Sequence, residues 1–349
     1  MKPYDLEPEQ QLRDERKPGG CLVRLVVLLL GLMILLVGAG SLWLWSYAVS
    51  PGPNERETLV FVPPGSSFVA IEGHLIEAGV LRRDHRFGWL AIISGRQAQL
   101  RAGEYMVAAG VSPWEILQLL IAGSGFRRQV TIPEGHNLYQ VAELLADQQL
   151  LDAAAFIAFA GDPTTPARFA VPGPTLEGWL FPETYFFTRG QSKEQIVEVM
   201  VARTRRVLSE LLLELGNDTG LNELEIMTMA SIVEKEAVLD AERSLIAGVF
   251  FNRLERGMRL QADPTVIYGL KSFGRRLTRT DLRTKTPYNT YVIHGLPPGP
   301  IANPGRPAIA AVLRPEKTAY LFFVSRNNGS HQFSTNYRDH HRAVQRYQR

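Results

Sequence analysis

The chain is nearly devoid of cysteine. Its 349 residues include one, Cys21, which excludes an intrachain disulfide framework and a cysteine-based metal cluster. The seven histidines are scattered without ligand spacing, and the adjacent pair His340 and His341 would point apart on a helix. A formal net charge of only +3 gives no reason to expect a nucleic-acid partner. The sequence therefore predicts neither a metal site nor a cofactor.

Charge is also missing from one long apolar run, residues 25–45. As a helix rising about 1.5 Å per residue, this run would reach roughly 30 Å, the thickness of a bilayer core. Three aromatic residues at its far end are typical of a membrane interface: Trp43, Trp45 and Tyr47. Several basic residues precede the run, whereas the next one after it is Arg56. We therefore predict a cytoplasmic tail over residues 1–24 and a single-pass anchor with the rest of the chain outside; a cleaved signal peptide is the alternative.

The remaining chain alternates short strand and helix patterns, which predicts an α+β fold. After a linker at 46–57, the region 58–126 shows the order strand, helix, helix, strand, with a capping-box helix beginning after Ser112. This order resembles the small glycan-binding LysM module; a purely structural α+β unit is the alternative. A second strand–turn–helix unit follows 70 residues later and opens the region 127–349, which we predict to be the catalytic domain.

A buried helix is predicted over residues 226–237, because Ile226 to Val233 carry no charge, proline or glycine. Two carboxylates follow, Glu234 and Glu236. A carboxyl at the end of a buried helix should have a raised pKa, as a general acid needs near neutral pH. The helical neighbours of Glu234 are small, whereas those of Glu236 include Asp240. We therefore favour Glu234 as the acid and Glu236 as support; the alternative is that both are solvated helix-end charges.

Two other stretches are unusual in composition. Residues 175–185 pack Trp, Phe and Tyr among two carboxylates, as in sugar-binding surfaces, although an aromatic loop plugged into the core is an equally good interpretation. Residues 258–306 form a long, polar stretch stiffened by Pro and Gly, and long ordered loops are usually functional.

Seven segments together resemble the YceG-like endolytic murein transglycosylases. They are LEGWLFPETY (176–185), ASIVEKE (230–236), FNRL (251–254), MRLQADPTVIYG (258–269), YNTY (288–291), GLPPGPI (295–301) and FSTN (333–336). The resemblance implies an inner-membrane protein with a LysM-like part and a YceG-like catalytic part facing the periplasm. It implies cleavage of nascent peptidoglycan at the β-1,4 bond between N-acetylmuramic acid and N-acetylglucosamine, leaving 1,6-anhydro ends and terminating strand elongation. Penicillin-binding proteins and elongation-complex proteins are the implied partners, beside the glycan strands themselves.

The resemblance places the catalytic glutamate on Glu234. We expect substrate contacts from six further side chains: Glu177, Gln261, Asp263, Tyr288, Asn289 and Tyr291. Asp263 precedes a proline and is equally suited to be a helix N-cap. Arg253 and Glu236 are expected to act in support, with Arg253 paired to Glu236 or to a stem-peptide carboxylate.

Three rival functions stay open at this point. A muramidase would hydrolyse the same bond with water. A non-catalytic glycan-binding scaffold would not need Glu234. A pyridoxal-phosphate lyase fits poorly, because export through the membrane separates the domain from that cofactor and no phosphate-cradling glycine loop accompanies a lysine.

Overall fold

The computed structural model describes residues 19–123 and 125–348. Most of the predicted tail, residues 1–18, lies outside them. The chain divides into two compact units, one ending at Gly125 and the other beginning at Phe126.

The first unit opens with helix α1, Gly19–Ala48. Its portion from Leu22 to Ala48 is the one helix in the described part of the chain that is long and apolar enough to cross a membrane. The predicted span at 25–45 lies within it. By length and composition this helix suits either a membrane anchor or a signal sequence.

Two strands and three helices complete the first unit. They are β1 (Thr58–Val62), α2 (Phe68–Glu77), α3 (Arg86–Ile93), β2 (Gly103–Val107) and α4 (Pro113–Ala122). The strands pair antiparallel, with Val60 opposite Tyr105, so the predicted order of strand, helix, helix, strand is confirmed. The predicted capping box is also present: Ser112 accepts from the backbone N–H of Glu115, whose carboxylate accepts from the N–H of Ser112. The likeness to a LysM module stays a prediction.

The second unit is mostly helical, with two short antiparallel sheets. Its elements are β3 (Arg128–Thr131), α5 (Leu138–Asp147), α6 (Ala153–Ala160), α7 (Thr165–Arg168), β4 (Thr184–Phe187), α8 (Lys193–Leu215), α9 (Glu223–Glu236), α10 (Arg243–Glu255), α11 (Asp263–Gly269), α12 (Arg306–Leu313), β5 (Phe322–Ser325), β6 (His331–Ser334) and α13 (Tyr337–Tyr347). β3 pairs with β4, and β5 with β6. The predicted α+β class is thereby confirmed.

Helix α9 lies at the centre of this unit. Every residue from Ile226 to Val233 is buried, as the uncharged run predicts. The helix begins at a capping box in which Asn222 and Glu225 exchange side-chain-to-backbone hydrogen bonds. Helices α10 and α12 pack against it, and α12 also packs on α8. The helix is consequently packed into the core as far as Val233, and its last turn, in which Lys235 is exposed, lies at the edge of the core.

The aromatic stretch 175–185 is part of the core and offers no sugar platform. Trp179 is fully buried, and Phe181 and Tyr185 are less than a tenth exposed. The Tyr185 hydroxyl donates to the carbonyl of Phe181. The core-loop interpretation is therefore the correct one for these rings.

Gly178 in that stretch occupies a position that only glycine fits. Its φ is +85°, and an added Cβ would lie 2.5 Å from Cβ of Pro300 in the long loop. We expect Gly178→Ala to lower the free energy of unfolding of this unit by roughly 2–4 kcal/mol, from backbone strain plus overpacking. Gly220 is a matched control, since its φ is +73° but an added Cβ meets nothing. Equal losses for both alanine variants in thermal unfolding would show that the contact with Pro300 is unimportant.

Candidate active site

Glu234 lies in the last turn of α9, with its side chain only 6% exposed. The backbone N–H of Gly305 donates to its Oε2 at 3.1 Å. The Nη2 of Arg243 lies 3.2 Å from its Oε1. Burial raises the pKa of Glu234, and the nearby Arg243 only partly opposes this effect. The raised pKa expected from the sequence is therefore confirmed.

Glycines from two loops lie beside Glu234, and of its expected helical neighbours only the upstream pair, Ala230 and Ser231, belongs to the helix. The helix ends at Glu236 and Ala237 is already extended, so the expectation that later residues continue the helical face is wrong. A Cβ on Gly135 would lie 3.6 Å from Cγ of Glu234. A Cβ on Gly305 would overlap the carboxyl of Glu134. Space therefore excludes a side chain at Gly305, whereas at Gly135 the left-handed φ of +72° is what favours glycine.

Asn303 ties these two loops together. The N–H of Gly135 donates to the carbonyl of Asn303, and the N–H of Asn303 donates to the carbonyl of His136, each at 2.9 Å. Further along the second loop, the N–H of Ile301 donates to the hydroxyl of Ser231 on α9 at 3.0 Å. The backbone around Glu234 is therefore fixed from both sides.

Arg243 and Glu134 were missed by the sequence analysis. The Nη2 of Arg243 lies 3.7 Å from a carboxyl oxygen of Glu134, besides its contact with Glu234. Arg243 is 7% exposed, whereas the Glu134 side chain is 45% exposed. Asp240 binds Nη1 of the same arginine at 3.0 Å, so the expectation that it accompanies Glu236 is wrong. A second, accessible carboxylate thus shares an arginine with the buried acid.

Glu236 faces different surroundings. Five of the predicted site residues line one cavity of about 410 Å³: Glu236, Arg253, Gln261, Asp263 and Tyr291. Burial and then repulsion from Asp263 raise the pKa of Glu236 to about 8, opposed by Arg253. The Tyr291 hydroxyl donates to Oδ1 of Asp263 at 2.7 Å. The structure therefore gathers three of the predicted substrate contacts, and the predicted supporting residue Arg253, around Glu236, in a cavity whose lining does not include Glu234.

The contacts of Asp263 and Arg253 differ from those expected. Helix α11 begins at Asp263 with Ala262 as its N-cap, so the N-cap interpretation of Asp263 is wrong. The Arg253 guanidinium donates to the carbonyls of Leu321 and Leu260, at 2.7 and 2.6 Å. Its charge still lowers the pKa of Glu236, but these hydrogen bonds give it a role in holding the cavity wall.

Glu177 and Asn289 are fully buried. Glu177 accepts from the N–H of Leu138 at 3.0 Å, and burial raises its pKa to about 8. The Nδ2 of Asn289 donates to the carbonyl of Thr284 at 2.7 Å. Because both side chains are enclosed and hydrogen-bonded to protein, this structure places them where a sugar does not reach, contrary to the predicted substrate contacts.

Tyr288 lies at another cavity. Its ring centroid is 4.9 Å from that of Tyr268, and both rings line a cavity of about 440 Å³. Tyr268 in turn lies close enough to the buried carboxyl of Glu177 to oppose the burial that raises its pKa. Tyr288 therefore stays a candidate for sugar stacking, at a place separate from the Glu236 cavity.

Comparison with known proteins identifies the class. A model of the YceG-like family matches residues 60–346, so the chain belongs to the YceG-like family, as the sequence motifs indicated. It is 33% identical over 331 residues to the endolytic murein transglycosylase of Bacillus subtilis (strain 168), covering 90% of this chain and 91% of that protein. It is 31% identical to the endolytic murein transglycosylase of Streptococcus pneumoniae (strain ATCC BAA-255 / R6), covering 83% of this chain and 58% of that protein.

A solved structure supports the fold. The putative yceG-like protein of Listeria monocytogenes aligns with a TM-score of 0.57 at 32% sequence identity, covering 82% of this chain and 98% of that one.

Proposed function

We propose that this chain is a membrane-anchored endolytic murein transglycosylase. It cleaves the β-1,4 bond between N-acetylmuramic acid and N-acetylglucosamine inside glycan strands and leaves 1,6-anhydro ends. The observation that carries the proposal is Glu234, a rigidly held carboxyl whose pKa is raised by burial, in a chain whose relatives bear that name. Incubation of the full chain with uncrosslinked glycan strands tests it, with internal fragments as the expected product.

A single carboxyl can perform both proton transfers. Protonated Glu234 gives its proton to the glycosidic oxygen as the bond from that oxygen to the anomeric carbon breaks. The C6 hydroxyl of the muramic residue attacks the anomeric carbon, and its proton passes to the Glu234 carboxylate. The acid is thereby restored, and no water is consumed. Because the nucleophile belongs to the substrate, correct orientation supplies much of the rate.

Glu134 is the group best placed to stabilise positive charge on the sugar ring. Glu177, which the sequence analysis expected to contact the substrate, is fully buried. Glu134 is accessible and close enough to Glu234 to raise its pKa. An ionised Glu134 would favour the oxocarbenium-like transition state, alone or together with the N-acetyl group of the substrate.

The accessible carboxylate of Glu134 also favours one alternative function. Glycoside hydrolases use two carboxyl groups roughly 5 to 9.5 Å apart, one as acid and one as base or nucleophile. If Glu134 activated water, the chain would be a muramidase acting on the same bond, and its products would carry reducing ends. The end group of the product therefore decides between the two reactions.

The pKa of Glu234, the proposed acid, should depend on Arg243. Activity requires protonated Glu234, so it should fall as pH rises through the pKa of this group. Arg243 favours the ionised form and lowers that pKa. We expect Arg243→Gln to shift the alkaline limb of the pH–rate profile to higher pH; an unchanged limb would mean that Glu234 is not the group that titrates there. Arg306→Gln is the control, since Arg306 pairs with Glu210 and Glu214.

The cellular setting is part of the proposal. The excess of basic residues before α1 supports a cytoplasmic N-terminus and a periplasmic catalytic domain in the inner membrane. The order of strand, helix, helix, strand supports a LysM-like module that binds glycan. Cleavage close to the membrane would terminate strand elongation beside penicillin-binding proteins and elongation-complex proteins.

A further inference from the structure

Helix α3 of the first unit exposes an apolar face. Trp89, Ile92 and Ile93 are 55%, 53% and 68% exposed. They are spaced three and four residues apart, so they lie on one side of the helix. The opposite side is buried, with Phe87 only 1% and Leu90 7% exposed. A face this apolar on an exported domain calls for an apolar partner.

This face continues onto helix α1. A groove of about 750 Å³ runs between the two helices and α4. Its lining is almost wholly apolar and includes Val37, Trp43, Trp89, Ile93 and Trp114. Side chains of α3 and of the apolar part of α1 therefore border the same space.

The depth of that groove along α1 suggests what fills it. Val37 lies eleven residues before Ala48, the end of α1, which corresponds to about 16 Å along a helix axis. A bilayer crossed by this helix must cover Val37, since the apolar portion extends from Leu22 to Ala48. Because Ile93 lines the groove that also reaches Val37, α3 lies beside the apolar part of α1 that a bilayer would cover.

The charges beside α3 match a phospholipid surface. Residues 82–101 contain five arginines and one acidic residue, Asp84. Two of these arginines lie over aromatic rings that line the groove: Arg96 is 4.8 Å from the Trp114 ring centroid, and Arg86 is 5.8 Å from that of Trp43. Cations and Trp rings at one level are typical of the lipid headgroup region.

We propose that α3 is a membrane-surface helix, inserted in the leaflet from which the C-terminal end of α1 leaves the membrane. Trp89, Ile92 and Ile93 contact acyl chains, and the neighbouring arginines contact the phosphates of anionic phospholipids. The distance of the first unit from the bilayer is then fixed by two helices, α1 and α3, and the unit does not move freely on a flexible linker. This inference rests on the proposed retention of α1 as a membrane anchor.

Spin-label accessibility tests the proposal on the full chain. With Cys21→Ser as background, a single nitroxide is placed at Ile93, in vesicles of phosphatidylethanolamine and phosphatidylglycerol. Val69 on α2, 74% exposed, is the matched aqueous control, and Leu32 in α1 is the membrane control. We expect the label at Ile93 to collide several-fold more often with oxygen, and several-fold less often with a water-soluble nickel complex, than the label at Val69. A label at Ile92 provides a second reading.

Each result has a distinct meaning. Labels at Ile93 and Ile92 that behave like the one at Val69, with Leu32 in lipid, would overturn the proposal and leave the anchor in place. A label at Leu32 that reports water would refute the anchor, and the proposal with it. Neither result depends on cleavage activity, so the proposed reaction is tested separately.

Discussion

The Glu234→Gln variant is expected to lose strand cleavage by a factor of roughly a hundred to ten thousand, the range for removal of a general acid. Glutamine has nearly the same shape as protonated glutamate but no acidic proton. Its amide oxygen can still accept from the N–H of Gly305, so the fold should persist. The measurement is the rate at which new strand ends appear in uncrosslinked glycan, with thermal unfolding as the check on folding.

Glu236→Gln is the matched control for this experiment. Glu236 lies two residues along the same helix and also has a raised pKa, but it faces the cavity shared with Asp263. We expect this variant to keep most of its activity. Full loss of activity in Glu236→Gln, with activity retained in Glu234→Gln, would identify Glu236 as the acid. Full activity in Glu234→Gln would remove Glu234 from the mechanism.

Asn303→Ala is expected to have the largest effect on stability. The side-chain Oδ1 accepts from the N–H of Leu180 at 2.9 Å, and Nδ2 donates to the carbonyl of His136 at 2.8 Å. Alanine would leave the buried N–H of Leu180 without a partner. It would also remove one of the two N–H groups that donate to the His136 carbonyl, and the 3.4 Å contact of Nδ2 with the buried Glu177 carboxyl. At roughly 1–3 kcal/mol for the unpaired N–H and about 0.5–1.5 kcal/mol for each lost bond, the free energy of unfolding of the second unit should fall by about 2–5 kcal/mol. Cleavage should also slow, because this residue connects the two loops beside Glu234.

Asn217→Ala provides the comparison for Asn303. Asn217 is largely solvent-accessible, and its side chain bonds only within its own turn, to Thr219 and Leu221. We expect it to change the free energy of unfolding by less than about 1 kcal/mol and to leave cleavage unaffected. Similar losses in both variants, measured by chemical denaturation, would show that the buried network around Asn303 contributes little.

Local signals in the sequence predicted much of the fold. The uncharged run from Ile226 to Val233 predicted the buried helix α9. The Ser112 capping box predicted the start of α4. The separation of Glu234 and Glu236 into different surroundings followed from helical geometry, because residues two apart point to different sides.

Contacts between distant segments were not predictable in the same way. Glu134 and Glu234 are one hundred residues apart, and only a Pro-Glu-Gly turn marked the first of them. No Gly or Pro comes directly after Glu236 to mark the end of α9. The sequence therefore suggested a helix continuing to Asp240, and the expected proximity of Asp240 to Glu236 was wrong. The burial of Glu177 and Asn289 likewise depends on which loops enclose them, and a single sequence does not encode that in any local pattern.

The most direct test of the proposed reaction is whether oxygen from water enters the product. The full chain is incubated with uncrosslinked glycan strands in water labelled with heavy oxygen, beside the Glu234→Gln variant, and the new ends are weighed by mass spectrometry. We predict internal fragments ending in 1,6-anhydro-muramic acid, one water lighter than a reducing end, without heavy oxygen, and absent with the variant. Reducing ends that carry heavy oxygen would contradict the lytic mechanism and establish a hydrolase.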